Sequence, residues 1–287
     1  KRGNQGQREA IGDHAAQMAG RIDGADGARP AQARAQQLVR RGHVGGMDHR
    51  QPGNRQGGAA GALHSPSELA VDVDSLVHPE GFVIADAHSP RLRVLDLGAT
   101  RGDGIFETVS VTSGTVHALE AHLEWFAASA RLLQLPTPDA DVWRPAIMAA
   151  IAAHAPVAEL SVKLVLTRGI EGTEIPTAWV YAETAPDYTA VRIDGIRVVT
   201  LDRGYRHDVA LTSPWLLQGA KTLSYAVNRA ALREAASRGA DDVVFVSSDG
   251  FLLEGPTSTL ILREGRSIRT PRTDQGILAG TTQASAF

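Results

Sequence analysis

Apolar and polar residues alternate over "IFETVSVTSGTVHAL", residues 105–119, with Ser113-Gly114 near the middle. A period of two with a turn pair between its halves predicts a β-hairpin. Shorter apolar runs predict four more strands in this half of the chain: "GFVIADA", "RLRVLDLG", "ELSVKLVLTRG" and "TAWVYAET". The turn-rich "GIEGTEIP" joins the last two, so we expect those two to pair with each other.

The apolar spacing changes after the hairpin. Leu119, Leu123, Phe126, Ala130 and Leu133 recur every three or four residues, and a proline follows in "LQLP". This spacing predicts an amphipathic helix that ends before the proline. A second helix is predicted over "DVWRPAIMAAIAAHA".

The second half of the chain begins with "IRVVTLDRG", a predicted strand. We expect "TLSYAVNRAALREAASRG" to form a helix that ends at Gly239. Two hairpins are predicted after it, with turns at Asp249-Gly250 and at Glu264-Gly265. The final "GTTQASAF" has the start signal of a further helix.

Residues 1–64 differ in composition from the rest of the chain. They hold ten Lys or Arg against five acidic residues and no aromatic residue, and the first aromatic is Phe82. Such a segment buries too little apolar surface to offset the entropy of ordering it, so we expect disorder and interpret it as non-native sequence. An RNA-binding tail is the alternative. We then expect a small α+β domain over 65–185, a linker over 186–195 and a large cofactor-binding domain over 196–287.

Composition excludes several classes of function. The net charge of -3 gives no basic footprint for nucleic acid and no polybasic membrane signal. The chain has no cysteine, which excludes disulfides, thiolate nucleophiles and cysteine zinc sites and fits a cytoplasmic protein. The apolar run "AIMAAIAAHA" is too short to span a bilayer. No histidine and carboxylate set has the spacing of a metal site.

Lys221 has no acidic neighbour close by in sequence. In "GAKTLSYAVNRAALREA", residues 219–235, no carboxylate follows it until Glu234. At the first turn of the predicted helix, the positive end of the helix dipole would disfavour the ammonium form. A lysine that is partly a neutral amine can form Schiff bases with aldehydes. The alternative is an ordinary surface lysine.

Four stretches occur in the order of a known motif series: "RGDGIFETV", "AKTLSY", "FLLEGPTSTLIL" and "GILAGTTQ". Over roughly residues 80–287 the chain therefore resembles the fold-type IV pyridoxal-phosphate enzymes, also called the class IV aminotransferase family. "AKTLSYAVN" together with "DGFLLEGPTST" most resembles the 4-amino-4-deoxychorismate lyases of actinobacteria.

The resemblance implies an α/β fold, with an α+β small domain and a larger α/β barrel-like domain. It also implies pyridoxal 5'-phosphate as cofactor, a small amino-acid-like substrate and a homodimer in the cytoplasm. The implied reaction is a lyase step in folate biosynthesis that releases pyruvate and leaves 4-aminobenzoate. A D-amino-acid or branched-chain aminotransferase is the alternative on the same scaffold. An inactive fragment that only binds a partner is a second alternative.

The resemblance also implies roles for individual residues. Lys221 would hold the cofactor as a Schiff base and shuttle protons, and Glu254 would bind the pyridine nitrogen. Thr281 and Thr282, which follow Gly280, would hold the phosphate. Weaker candidates are Tyr225, for the cofactor's phenolic oxygen, together with Ser258 and Thr259.

Two features depart from the family pattern. In "HLEWF", Trp125 stands where relatives carry an arginine that grips the phosphate, and Arg131 is six residues further along the helix. We therefore expect weaker phosphate binding. Relatives also continue beyond "GTTQ", so we expect a large domain that is incomplete at its C-terminus. His117 and His122 are interpreted as structural histidines.

Overall fold

The computed structural model describes residues 69–73 and 81–287, apart from the side chain of Ser285. The expectations for residues 1–64 lie outside the described residues. Within the described part, no helix is long and apolar enough to cross a membrane.

A six-stranded antiparallel sheet organises the first half of the described chain. The strands are β1 Leu69–Val73, β2 Phe82–Asp86, β3 Gly104–Thr112, β4 Thr115–Val116, β5 Glu159–Thr167 and β6 Thr177–Thr184. Their spatial order is β2-β1-β6-β5-β3-β4. The predicted hairpin and the predicted pairing of "ELSVKLVLTRG" with "TAWVYAET" are both confirmed.

Two helices pack on this sheet and close its core. They are α2 Leu119–Leu132 and α3 Ala140–Ala153, close to the predicted ranges. Phe126 of α2 and Trp143 of α3 meet edge to face with ring centroids 4.7 Å apart. Both side chains are buried, together with Ile147 and the inward-facing strand residues. The period-3.6 apolar pattern thus places one face of each helix on the sheet.

The predicted strand over "RLRVLDLG" is wrong. The segment is a loop that leads into a short helix, α1 Leu97–Arg101. Asp96 caps this helix, since its Oδ1 accepts a hydrogen bond from the Gly98 N–H at 2.8 Å. Val94 and Leu95 are 84% and 65% exposed, so the apolar run is not a core strand. Local capping of a helix by Asp96 therefore outweighed the strand propensity of the apolar residues.

The second half is built around a parallel strand pair and one helix. β7 Val198–Asp202 pairs with β8 Asp242–Val246, and α6 Ala226–Ser237 connects them. A separate apolar cluster joins α6 to β8 through Ala231, Ala235, Val243 and Phe245. The remaining elements are α4 Thr189–Asp194, α5 Val209–Thr212, β9 Leu262–Glu264, β10 Ser267–Arg269 and α7 Thr281–Ala286, with 3-10 turns at Pro214–Leu216 and Thr273–Gln275.

Candidate active site

A cleft of about 380 Å³ lies where the β3 end of the large sheet meets the elements of the second half. Every residue to which the sequence assigned a cofactor role lines this cleft. The set spans more than sixty positions of sequence, and only the tertiary fold brings it together. Its members are Lys221, Tyr225, Glu254, Ser258, Thr259, Gly280, Thr281 and Thr282.

The backbone around Lys221 is extended and is not the first turn of a helix. The Phe106 N–H donates to the Lys221 carbonyl at 3.0 Å, and the Leu223 N–H donates to the Gly104 carbonyl at 2.9 Å. The segment therefore pairs with the start of β3, and α6 begins only at Ala226. The predicted placement of Lys221 at a helix start is wrong. The helix dipole does not account for its chemistry.

The Lys221 side chain instead has a carboxylate partner from the large sheet. Its Nζ lies 3.3 Å from Glu107 Oε1 and 5.2 Å from the centroid of the Phe106 ring. The side chain is 15% exposed, and that of Glu107 is 6% exposed. The reading of Lys221 as an ordinary surface lysine does not fit this position, because the amine lies inside the cleft wall.

Glu107 is the centre of a small charged cluster. Burial opposes its ionisation, but the Lys221 ammonium, the His122 ring and the Thr108 N–H together outweigh burial and hold its pKa below the usual range. The Thr108 N–H donates to Oε1 at 2.8 Å, and His122 Nδ1 lies 3.3 Å from the same oxygen. Glu107 belongs to the "RGDGIFETV" motif, but no role was predicted for it from that motif. A buried carboxylate inside an apolar strand pattern was the signal that could have identified it.

Glu254 is a second carboxyl of the cleft, and its burial has little compensation. Its Oε2 accepts one hydrogen bond, from the Leu278 N–H at 3.1 Å. Desolvation raises its pKa to about 8, although the Leu278 hydrogen bond and the charges of Lys221 and Arg203 act in the opposite direction. Such a carboxyl is suited to a cationic partner, because a positive charge would stabilise its ionised form.

The threonine end of the cleft is crowded around a glycine. A Cβ built on Gly280 would lie 2.8 Å from Thr259 Oγ1, so a larger residue would displace that hydroxyl. Thr281 Oγ1 lies 3.4 Å from His122 Nε2. His122 is only 9% exposed, yet its ring forms part of the cleft wall. The sequence interpreted this residue as structural, and the fold places it beside the candidate phosphate group binders.

Tyr225 and Asn228 share one acceptor. The Tyr225 hydroxyl and Asn228 Nδ2 both donate to the Pro256 carbonyl, the latter at 2.8 Å. Burial raises the pKa of Tyr225 to about 12, and its ring meets Phe106 edge to face at 5.7 Å. In this structure the Tyr225 hydroxyl therefore holds the 256–259 loop. The sequence did not identify Asn228.

Trp125 also lines the cleft, one turn after His122 on α2. The tryptophan that replaces the arginine of the family pattern therefore lies in the wall of the cleft. Arg131, the next arginine on the helix, does not line the cleft and is exposed. Arg203 does line it, with its Cζ 4.7 Å from the Phe245 ring centroid, and the sequence did not identify it. Among the described residues, no group of three His, Asp or Glu side chains is placed to hold a metal.

Comparison with known proteins gives one consistent answer. The family model for amino-transferase class IV matches residues 104–287. A bifunctional aminodeoxychorismate lyase / D-amino acid transaminase of Mycobacterium tuberculosis is 44% identical over 210 residues, which cover 69% of this chain and 72% of the relative.

Two solved structures extend this similarity to the fold. The fold IV-transaminase CpuTA1 of Curtobacterium pusillum is 58% identical with a TM-score of 0.74, covering 77% of this chain and 78% of that one. A hypothetical aminotransferase of Mycobacterium tuberculosis in its PLP-bound form is 42% identical with a TM-score of 0.70, covering 76% of each chain.

Proposed function

This chain belongs to the class IV aminotransferase family, a family of pyridoxal-phosphate enzymes, and from that premise we propose that it is a 4-amino-4-deoxychorismate lyase. In this reaction the C–O bond to the enolpyruvyl group breaks, the ring loses a proton, and pyruvate and 4-aminobenzoate leave. The observation that carries the proposal is the position of the Lys221 amine, inside one cleft with Glu254, Thr281 and Thr282.

The residues of the cleft fit pyridoxal phosphate. The cofactor needs an amine for its aldehyde, an acid for its ring nitrogen and donors for its phosphate. Lys221 offers the amine, and Glu254 offers a carboxyl whose raised pKa calls for a cationic partner. Thr281 and Thr282 offer hydroxyl donors, and Gly280 leaves the space that a Cβ would fill. When bound, the cofactor supplies a reactive aldehyde and a cationic ring that withdraws electrons from the substrate.

Glu107 orients the Lys221 amine. The ionised carboxylate attracts the ammonium at 3.3 Å, while the paired backbone of Lys221 and Phe106 fixes the base of the side chain. The amine is thereby held at one point of the cleft wall and can accept or return a proton at a substrate carbon placed opposite it. The negative charge of the Glu107 carboxylate compensates the positive charge of the Lys221 ammonium.

Glu254 gives the cleft an acidic group. As an acid of raised pKa it carries a proton at neutral pH in the absence of a cationic partner. A ring nitrogen placed against it would share that proton and gain positive charge. The Leu278 N–H donates to Oε2 of the carboxyl and limits its rotation.

Lyase activity is supported by the motif pair "AKTLSYAVN" and "DGFLLEGPTST" and by the name of the Mycobacterium tuberculosis relative. The same name includes D-amino acid transamination, and the Curtobacterium pusillum structure is titled a transaminase. D-amino acid transamination is therefore the second candidate. Both reactions use the same lysine and the same carboxyl.

One pair of assays separates the two activities. The purified protein, loaded with pyridoxal phosphate, is given 4-amino-4-deoxychorismate, and 4-aminobenzoate is measured by fluorescence. In parallel it is given D-alanine without a keto acid, and its cofactor is analysed. A lyase returns the aldehyde form of the cofactor, whereas a transaminase leaves the amine form. Formation of the amine form without 4-aminobenzoate would replace the lyase proposal by transamination.

The alternative of an inactive binding protein has its own test. An absorbance spectrum of the protein with pyridoxal phosphate reports whether the cofactor is bound through a lysine. A Lys221→Ala variant provides the baseline, since it retains the cleft but lacks the amine. Identical spectra for the two proteins would favour the inactive reading.

A further inference from the structure

We propose that His122 provides the positively charged contact for the phosphate group of pyridoxal phosphate in this chain. The proposal rests on the proposed function, because it assumes that the cofactor enters this cleft. It assigns a binding role to a residue outside the four groups named above as cofactor ligands.

The position of the ring carries the first part of the argument. His122 lies in the first turn of α2 and lines the cleft, and the residue is 9% exposed. Nε2 lies 3.4 Å from Thr281 Oγ1, on the side where Thr282 and Gly280 also line the cleft. Imidazole and hydroxyl therefore converge on one place, as donors to a common anion would.

The charge of the neighbouring group carries the second part. His122 Nδ1 lies 3.3 Å from the ionised Glu107, without the geometry of a hydrogen bond in this structure. The carboxylate faces Nδ1, and an anion in the cleft would face Nε2. An imidazolium ring can donate one hydrogen bond from each nitrogen and so can serve both acceptors. Lys221 contacts the same Glu107 oxygen, so that the carboxylate is shared by two potential cations.

The other basic groups are engaged elsewhere. Of the described residues that line the cleft, three are basic: Lys221, Arg203 and His122. Lys221 is paired with Glu107, and Arg203 packs on the Phe245 ring and acts electrostatically on Glu254. Trp125, on the next turn of α2, offers one neutral N–H. His122 is thus the basic residue beside Thr281.

Comparing two aldehydes tests the proposal. Pyridoxal and pyridoxal 5'-phosphate have the same aldehyde and ring, and only the second carries a phosphate. Dissociation constants for both are measured by absorbance with wild type and His122→Asn. We expect the variant to lose about tenfold or more of the preference for the phosphorylated form, because a charge-assisted hydrogen bond is lost. Any change in its affinity for pyridoxal, which reports on the Glu107–Lys221 pair that His122 also contacts, should be smaller than the change for pyridoxal 5'-phosphate.

The matched control is His117→Asn. His117 precedes α2 and does not line the cleft, so this variant should keep the full preference. A His122→Asn variant that binds both aldehydes with the wild-type preference would overturn the proposal. Failure of the wild type to bind either aldehyde through Lys221 would overturn the proposed function instead, and the two failures are therefore distinguishable.

A measurement on the wild type covers the case in which His122→Asn does not fold. The protein is labelled with 15N-histidine and titrated with inorganic phosphate, and the imidazole signals are assigned with His122→Gln and His117→Asn. We expect the Nε2 signal of His122 to move toward the imidazolium value as phosphate binds, while that of His117 stays in place. A stationary His122 signal at saturating phosphate would contradict the assignment.

Discussion

Lys221 and Glu107 form an ion pair in the cleft wall, with Nζ 3.3 Å from Oε1, although they are distant in sequence. This contact explains why the lysine has no acidic neighbour on its own segment. Its partner comes from β3, and two backbone hydrogen bonds, Phe106 N–H to the Lys221 carbonyl and Leu223 N–H to the Gly104 carbonyl, hold the two segments in register. The pair therefore couples the large sheet to the chain that carries the amine.

The amine of Lys221 should be the point of attachment of the cofactor. Borohydride reduction in the presence of pyridoxal phosphate should label Lys221, because its Nζ lies in the cleft. Peptide mapping identifies the labelled residue. Lys163 is the matched control, since its Nζ lies 5.1 Å from the Tyr181 ring centroid, outside the cleft. Label spread over Lys163 and Lys1 would refute the assignment.

Glu254→Gln should reduce turnover more than cofactor affinity. An amide can still form a hydrogen bond to the ring, but it cannot take part in keeping the ring cationic while charge develops. We expect a loss of at least about tenfold in kcat, which corresponds to about 1.4 kcal/mol, and a smaller change in the dissociation constant. Steady-state kinetics and a cofactor titration measure the two. Wild-type turnover would show that Glu254 is not the partner of the ring.

Glu254 should also make the cofactor-free protein less stable as the pH rises. Its folded pKa of about 8 lies above the unfolded value of 4.5. Between these values the folded state keeps a proton that the unfolded state has lost, so the free energy of unfolding falls with increasing pH. Glu254→Gln removes this dependence and should be the more stable protein at pH 8, by on the order of a few kcal/mol.

Urea unfolding of the cofactor-free proteins at pH 5.5 and pH 8 measures this difference. Glu124→Gln, on the exposed side of α2, is the matched control and should follow the wild type at both pH values. If the stability difference between wild type and Glu254→Gln is the same at both pH values, the carboxyl is not kept protonated by burial.

Trp125→Arg should tighten the binding of pyridoxal phosphate. The indole lines the same cleft as Thr281 and Thr282 and has no charge. A guanidinium there would add charge-assisted hydrogen bonds to phosphate, and we expect a gain of about tenfold that is largest at low salt. Trp215→Arg is the matched control, because Trp215 is 73% exposed and does not line the cleft.

Trp215→Arg adds the same positive charge outside the cleft, so it shows how much of any gain comes from long-range electrostatics alone. Thermal unfolding shows whether each variant is folded. Unchanged or weaker cofactor binding by a well-folded Trp125→Arg protein would mean that His122, Thr281 and Thr282 already satisfy the phosphate.

Tyr225→Phe and Asn228→Ala should be non-additive in stability. Both side chains donate to the Pro256 carbonyl, so each single variant leaves one donor in place. We expect each to cost about 1 kcal/mol and the double variant to cost more than the sum, because the carbonyl is then left without a side-chain donor. Urea unfolding of the four proteins gives the coupling energy, and strict additivity would contradict the shared role.

Local patterns in the sequence determined most of the secondary structure. The period-two runs gave β3 to β6 and the spacing of Leu119, Leu123 and Phe126 gave α2, because side-chain periodicity reflects which face is buried. The same reasoning failed for "RLRVLDLG", where the capping carboxylate of Asp96 formed a helix instead. The helix predicted to begin at Thr222 in "TLSYAVN" begins four residues later, at Ala226. Pairing with β3 keeps Thr222 and Leu223 extended. The domain boundaries near residues 185 and 196 stay a prediction.

The sequence by itself predicted which residue types would carry the chemistry: one lysine, one acid and a threonine pair, proposed from four motifs in order. Only the tertiary structure decided what surrounds them. The partnership of Lys221 with Glu107 and the approach of His122 to Thr281 join segments far apart in the chain. Such contacts depend on how the sheet, α2 and the second half pack together. The raised pKa of Glu254 depends on the same packing, because desolvation is a property of the enclosed cleft and not of a local sequence pattern.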